Sequence, residues 1–383
     1  MKSRAAVLHG INQDWKVEEI EVDDPKAGEV LVQWKVAGMC HSDEHLVTGD
    51  MAVSDEVAKA AGMPPMFPTV GGHEGAGVVI KVGPGVTTLA EGDHVSASFV
   101  PACGRCRYCI NGQQNLCNAG SGTLTGGMIT DGTHRHHLAN GEPVKMMAKL
   151  GTFSQYSCLA EMSAVKVDAD YPFDAVALVS CGVATGFGSA AKRAEVRPGD
   201  TVVIVGVGGI GMNAVQGAKL SGAKQVIAVD PVEFKREKAM EFGATHTFES
   251  MDAALPAVAQ MTEGMMADKV IMSPSVMYGE LMNLGTKLAG KGGTIVVTAV
   301  APMAQTSADI NLFELAMWNK EIKGTIFGSL NPRWDIPNLL SMYRAGDLKL
   351  DELVTARYSL DQINDGYQAM RDGKNLRGVI VYD

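Results

Sequence analysis

Thr201–Asp230 reads TVVIVGVGGIGMNAVQGAKLSGAKQVIAVD. Its opening run, Thr201–Val207, is continuously apolar, as expected of a strand buried on both faces of a parallel sheet. Ile210–Leu220 then has helical spacing, and Gln225–Asp230 is a second β run. The turn between strand and helix is Gly206-Val207-Gly208-Gly209-Ile210-Gly211, a G-x-G-x-x-G sequence. Gly206 permits a tight turn, Gly208 lets the backbone approach a pyrophosphate, and Gly211 lets helix and strand pack closely. The helix opened by Gly209 and Ile210 points its N-terminus at the phosphates. Asp230 closes the second strand 19 residues after Gly211. A carboxylate there accepts hydrogen bonds from a ribose diol and repels a 2′-phosphate, so the expected cofactor is NAD rather than NADP. A bare glycine turn with an incidental aspartate is the other reading, and the strand–turn–helix–strand context speaks against it.

The same alternation continues outward. Phe234–Phe242 and Glu280–Leu288 have helical spacing, while Lys269–Met272 and Thr294–Val300 repeat the strand signal. Strands alternating with helices imply a parallel sheet covered on both faces. The first third of the chain differs. Lys16–Val22, Val30–Ala37, Gly77–Val82 and His94–Val100 are short β runs joined by irregular connections. Met51–Pro68 carries three prolines, and Asn118–Met147 is rich in glycine and histidine with little periodicity. Long irregular loops in compact domains are often functional. Gly378–Tyr382 is a final β run, expected to return to the first domain and make it discontinuous.

At 383 residues the chain suits two domains. Its net charge of −10 makes it a poor partner for nucleic acid or anionic membranes, which are bound through clustered Lys and Arg. The N-terminus lacks the apolar core of a secretory signal. The most apolar long stretch, Thr201–Ala218, holds five glycines with Asn213 and Gln216, so no membrane span is expected there. The expected compartment is the cytoplasm.

Seven cysteines are an odd count and do not suit a disulfide framework. Four of them, Cys103, Cys106, Cys109 and Cys117, lie within 15 residues. Four soft anionic ligands with no position to spare suit a closed tetrahedral structural zinc. Two other readings stand beside it, an iron–sulfur cluster and unmetallated thiols. The first three cysteines, at two-residue gaps, resemble ferredoxins, but the spacing to the fourth and the missing proline do not. Elsewhere, Cys40 lies in GMCHSDEH, His73 in GGHEGAG and Cys181 in SCGVATG. Two thiolates and one imidazole make a catalytic type of zinc site with a fourth position open. Each alone is a weak candidate, because a lone cysteine is usually a small buried hydrophobe. Cys158 has no partner motif and is read that way. His134, His136 and His137 form a loop cluster without other ligands and are read as incidental.

With these residues in view, the chain resembles the zinc-containing alcohol dehydrogenases of the medium-chain dehydrogenase/reductase superfamily. The resemblance runs end to end and includes GHEGAGVV (Gly72–Val79), the cysteine cluster, GVGGIG and KGTIFGS (Lys323–Ser329). It implies an α/β protein: a GroES-like β-rich catalytic domain (1–182 and 327–383) interrupted by a Rossmann domain (183–326). It implies two zinc ions per subunit and NAD(H). Cys40, His73 and Cys181 match the catalytic zinc ligands, and Cys103, Cys106, Cys109 and Cys117 the structural ones. Glu74 matches the carboxylate behind the catalytic zinc. Ser42 and His45 match the hydroxyl and histidine of a proton relay. Asp230 and Lys235 match the adenosine-ribose contacts, Thr185 a further cofactor contact, and Arg377 a pyrophosphate contact. His41 departs from the pattern, since many relatives carry arginine there against the pyrophosphate. GMCHSDEHLVTGD and the long Met51–Pro68 segment further resemble the actinobacterial nicotinoprotein alcohol dehydrogenases. Those retain NAD(H), are assayed with the acceptor N,N-dimethyl-4-nitrosoaniline (NDMA), and are thought to be reoxidised by a carrier such as mycofactocin.

The implied reaction is reversible hydride transfer between a primary or secondary alcohol, or its aldehyde, and NAD(H). Ser42 would take the hydroxyl proton and pass it towards His45 and solvent. Two alternatives remain at this point. One is a thiol-dependent formaldehyde dehydrogenase of the same fold, which needs a basic anchor for the thiol's carboxylates. The other is a non-catalytic NAD-binding zinc redox sensor. The KGTIFGS segment reads as a sheet edge, and in the family that the chain resembles such edges pair across a two-fold axis, so the resemblance implies a homodimer or homotetramer.

Overall fold

The computed structural model describes residues 1–52, 55–60, 62, 64–120 and 127–383. Part of the Met51–Pro68 segment and six residues of the Asn118–Met147 loop lie outside this set. The chain divides into two compact units, Met1–Cys181 with Asn331–Asp383, and Gly182–Leu330.

In the first unit, β1 (Lys2–Leu8), β2 (Lys16–Val22), β3 (Glu29–Gly38), α1 (His41–Thr48), α2 (Asp55–Ala60) and β4 (Thr69–Val70) follow in order. Next come β5 (Glu74–Val82), β6 (His94–Ala97), α3 (Arg107–Ile110), β7 (His136–Leu138), β8 (Lys145–Met146), β9 (Tyr156–Ala160), β10 (Ala164–Val167) and α4 (Phe173–Val179). These strands build two sheets. One has the order β7-β2-β1-β4-β8, and the other runs β10-β6-β5-β3 with β9 also paired to β3. Trp15, Trp34, Leu150, Phe153 and Leu159 fill the core with side chains from both sheets. Trp34 donates its indole N–H to Ser157 at 3.0 Å, so the largest buried ring keeps its polar atom paired.

The second unit begins with α5 (Gly182–Gly188). It continues through β11 (Thr201–Val205), α6 (Gly209–Leu220), β12 (Gln225–Val229), α7 (Glu233–Phe242), β13 (His246–Phe248), α8 (Met251–Met261) and β14 (Ala267–Met272). It ends with α9 (Leu281–Leu288), β15 (Ala289–Val297), α10 (Leu312–Met317) and β16 (Glu321–Gly324). All pairings are parallel, in the order β13-β12-β11-β14-β15-β16. This is the strand order of a dinucleotide-binding doubly wound sheet. The first unit then resumes with α11 (Pro332–Ala345), β17 (Val354–Tyr358), α12 (Ile363–Arg371) and β18 (Arg377–Val381). The last strand pairs antiparallel with β3, Val379 opposite Gly38, and parallel with β17.

Most strands differ from the expected ranges by one to three residues at an end, as β5, which starts at Glu74 rather than Gly77, and three differences have a local cause or consequence. β6 stops at Ala97, because the Ser98 hydroxyl donates to the Val100 carbonyl at 2.6 Å and turns the chain. β15 runs over Ala289–Val297 rather than from Thr294 to Val300. It ends where the Thr298 and Ala299 amides both turn onto the Met272 carbonyl. Only Lys323 and Gly324 of KGTIFGS belong to the edge strand, since Phe327–Ser329 forms a 3-10 turn. No single helix among the described residues is long and apolar enough to cross a membrane.

Candidate functional site

Cys40, His73 and Cys181 come from places far apart in the chain: the end of β3, the start of β5 and the end of α4. Register makes them meet. β3 and β5 are antiparallel partners with Gly38 opposite Glu74, so the residues just beyond each pair, Cys40 and His73, share one end of the sheet. The Ser180 hydroxyl accepts the Gly75 amide at 3.3 Å and ties the end of α4 to the same edge. The ligand atoms of Cys40, His73, Glu74 and Cys181 all lie within 4.8 Å of one another, and all four residues are buried.

Without a cation these groups conflict. The Cys40 sulfur accepts from the Cys181 thiol, which pulls Cys40 well below the usual thiol range and holds Cys181 well above it. Burial pushes the Glu74 carboxyl up to about 7 against the pull of Arg377. Both His73 ring nitrogens are buried and neither makes a well-aligned hydrogen bond. Two sulfurs sharing one proton beside an orphaned imidazole nitrogen fit a dication of the zinc type, which would replace the proton and occupy the nitrogen.

The surroundings of the ligands reach further than the sequence indicated. His73 Nδ1 lies 2.9 Å from a carboxylate oxygen of Asp43, a fully buried residue. The other Asp43 oxygen accepts the Gly72 amide at 2.7 Å. Burial lowers the His73 affinity for a proton, but Asp43 and Cys40 outweigh it and hold the imidazole well above its ordinary value. A carboxylate behind a ligating histidine orients the ring and fixes its tautomer. Glu74 pairs with the buried Arg377 guanidinium, 303 residues further along the chain. Arg377 thus lies against Glu74 within the first unit. Ser42 stands at the edge of the cluster, its Oγ 3.7 Å from the Cys40 sulfur. His45 is buried on α1, and its ring centroid lies 6.3 Å from that of half-buried His41.

The four clustered cysteines converge as well. Cys103 and Cys109 sulfurs are 3.9 Å apart, and those of Cys106 and Cys117 are 4.0 Å apart. A tetrahedral zinc with bonds of about 2.3 Å has sulfur–sulfur edges of about 3.8 Å, whereas a disulfide needs about 2.05 Å. All seven cysteines are free thiols. His134, His136 and His137 join no metal-type cluster among the described residues. His136 instead accepts the Cys158 amide at Nε2, and burial holds its imidazole down at about 3. His137 pairs with Asp23.

In the second unit Gly206 has φ +82°, a left-handed turn that its place between β11 and α6 requires. A Cβ on Gly208 would meet nothing within 4 Å, so the backbone is open there. Gly208 caps α6 without a side-chain hydrogen bond, leaving the first-turn N–H groups of Gly209 and Ile210 for an anion. A Cβ on Gly211 would lie 1.9 Å from the Gly206 carbonyl, so helix and turn are in close contact. Asp230 is 5% exposed, and its two oxygens accept the Val207 and Val232 amides at 3.0 and 2.9 Å. Arg236 donates to the Asp230 and Pro231 carbonyls at 2.8 and 2.9 Å and braces that corner. Lys235 is half-buried in the first turn of α7, and Thr185 is buried on α5. The open backbone at Gly208 and the uncapped helix end fit a dinucleotide pyrophosphate.

Comparison with known proteins agrees with this geometry. Residues 26–169 match the family described as the alcohol dehydrogenase GroES-like domain, and residues 209–344 match zinc-binding dehydrogenase. The chain is 50% identical to alcohol dehydrogenase B of Mycobacterium tuberculosis, over all of this chain and 99% of that protein. It is 49% identical to the NDMA-dependent alcohol dehydrogenase of Amycolatopsis methanolica, again over all of this chain and 99% of the relative. The benzyl alcohol dehydrogenase of Acinetobacter calcoaceticus superposes with a TM-score of 0.89 at 30% identity, with both chains fully covered. With its zinc-type ligand sets and dinucleotide turn, the chain belongs to the zinc-dependent, medium-chain alcohol dehydrogenase family.

Proposed function

We propose that this enzyme oxidises a primary or secondary alcohol to its carbonyl compound at a zinc held by Cys40, His73 and Cys181. The observation that carries this reading is the convergence of two buried thiols and a buried, unpartnered imidazole nitrogen on one point. When bound, the zinc supplies Lewis-acid activation of the hydroxyl and the nicotinamide takes up the hydride. The chain's own residues do the rest. Ser42, beside Cys40, accepts the hydroxyl proton, and His45 receives it further along α1. Asp43 holds the His73 ring, and Glu74 sets the charge next to the ligands. Cys103, Cys106, Cys109 and Cys117 hold the second, structural zinc.

In this reading residues 1–182 and 327–383 carry the chemistry and 183–326 carry the dinucleotide. Gly206, Gly208, Gly209, Ile210 and Gly211 cradle the pyrophosphate, and Asp230 and Lys235 bind the adenosine ribose. Thr185, His41 and Arg377 are the further cofactor contacts. We place the enzyme in the cytoplasm, a reading supported by its seven free thiols. Self-association through β16 is supported by its edge position and by the exposed Leu312, Phe313 and Met317 beside it.

We further propose that NAD(H) is retained between turnovers and reoxidised by an external carrier of the mycofactocin type. The 49% identity to an NDMA-dependent relative supports this. The test is to dialyse the purified protein extensively, denature it and quantify the nicotinamide released per subunit. Near-stoichiometric release, with NDMA reduction by untreated enzyme, is the expected result. An empty protein that turns over only with added NAD would make it an ordinary dehydrogenase. The same alcohol panel, run beside formaldehyde plus thiol, separates alcohol oxidation from thiol-adduct oxidation.

A further inference from the structure

The proposed proton path ends at His45, and that histidine faces a carboxylate. His45 Nδ1 lies 3.0 Å from Asp50 Oδ2, and the Thr48 hydroxyl donates to the same oxygen at 2.7 Å. The end of α1 creates this contact. Gly49 has φ +85°, the left-handed conformation that closes a helix. The Met51 amide then folds back onto the His45 carbonyl at 2.9 Å. This wrap carries Asp50 round to face a side chain five residues earlier. The two neighbouring acids on α1 are engaged elsewhere: Asp43 with His73 and the Gly72 amide, and Glu44 with Arg371 at 2.7 Å.

We propose that Asp50, aligned by Thr48, is the positioning residue of the proton path, fixing the His45 ring so that Nδ1 donates and Nε2 is left to take the proton. The inference rests on the reading of His45 as the proton acceptor. Burial alone would push the Asp50 carboxyl up, but the bonds from Thr48 and His45 outweigh it and hold the group below the usual carboxylate range. An ionised Asp50 can only accept, so the shared hydrogen belongs to Nδ1. Per turnover, the proton leaving the alcohol O–H, handed on through Ser42, forms an N–H bond at Nε2 while the hydride goes to NAD. Asp50 gains and loses nothing. His45 is 3% exposed, so few water molecules could fix its tautomer in place of Asp50.

The test compares zinc-loaded wild type with Asp50→Asn, Asp50→Glu, His45→Gln and the Asp50→Asn/His45→Gln pair. The readout is the single-turnover rate of alcohol oxidation in H2O and D2O, with KM and zinc content. A positioned acid–base group contributes about 10²–10⁴-fold, and loss of its aligning partner should remove about tenfold or more of that. Asp50→Asn is expected to slow turnover by that amount with KM and zinc unchanged and a larger solvent isotope effect. Asp50→Glu should recover part of the rate. In the His45→Gln background Asp50→Asn should add almost nothing. Equal losses from Asp50→Asn in both backgrounds, or none where His45→Gln is slow, would overturn the proposal and leave the relay standing. An unimpaired His45→Gln enzyme would remove the relay itself, and the proposal with it. Should Asp50→Asn fail to fold, Thr48→Val replaces it, with a smaller loss expected that again vanishes in His45→Gln.

Discussion

Arg135→Met removes the cation from a buried charge network that anchors the Asn118–Met147 loop to the first strand of its neighbouring sheet. Arg135 is 1% exposed and Glu29, at the start of β3, is 0% exposed. The guanidinium forms a two-point contact with Glu29, Nε to Oε2 at 2.8 Å and Nη2 to Oε1 at 2.7 Å, and also meets Asp131 at 2.9 Å. Glu29 accepts further bonds from the Lys26 amide and the Thr130 hydroxyl. Removing one partner of a buried ion pair costs about 3–5 kcal/mol, because the other charge is left uncompensated. The Lys26 and Thr130 donors and the Cys158 thiol, 3.5 Å from Oε2, still hold part of the Glu29 charge, so the lower end, about 3 kcal/mol, is expected. For a unit of this size that is a drop in Tm of about 10 °C.

The pH dependence gives this prediction its sign. In the native protein burial pushes the Glu29 carboxyl up, but the bonds from Arg135, Thr130 and Lys26 outweigh it and hold it below the usual range. Its contribution is therefore present above the unfolded value near about 4.3 and lost as pH falls through the lower folded value. In Arg135→Met burial dominates, so the penalty is present above a raised folded value and disappears as the carboxyl protonates. The gap between the two proteins should narrow from about pH 8 to about pH 5. Calorimetric unfolding of zinc-loaded protein reads it directly. Glu29→Gln/Arg135→Met should recover most of the lost stability. A double variant as unstable as the single one, or a gap that does not change with pH, would refute the reasoning.

Other outcomes follow from the same geometry. Cys109→Ser opens a four-thiolate cage, so bound zinc should fall from about two to about one per subunit with a lower Tm. Metal analysis checks this, and unchanged zinc would mean that the cluster is not a zinc site. Asp230→Gly removes acceptors for the Val207 and Val232 amides, at a cost of about 1–3 kcal/mol, and should relax the preference for NAD over NADP. Cofactor selectivity, read from turnover or from the nucleotide released on denaturation, decides that case.

Contiguous chemistry was legible in the sequence. The glycine turn, its flanking strands and the Cys103–Cys117 lobe each fit within one short window, where spacing alone fixes geometry. The dispersed Cys40, His73 and Cys181, which meet in the structure, could be singled out through the motifs around them. Partners that meet only through strand register were not. The Asp43–His73 contact and the Arg377–Glu74 pair join residues 30 and 303 positions apart, and no local pattern encodes either. The Glu29–Arg135 pair was hidden for the same reason, and so was the role of His136, which supports the Cys158 amide. Strand ends were misjudged where side-chain hydrogen bonds or turned amides stop a run of residues still favourable to β structure, as at Ser98 and Thr298. Asp50 was in plain view beside Gly49, yet its meaning depends on the helix-ending turn that brings it back onto His45.

Cys181 completes the proposed zinc-binding set with Cys40 and His73. Zinc per subunit and alcohol turnover should be measured together on wild type and Cys181→Ala. The expected result is about two zinc ions and full turnover for wild type, against about one zinc and no turnover for a folded variant. A Cys181→Ala protein that keeps both its zinc and its turnover would contradict the assignment of the catalytic centre.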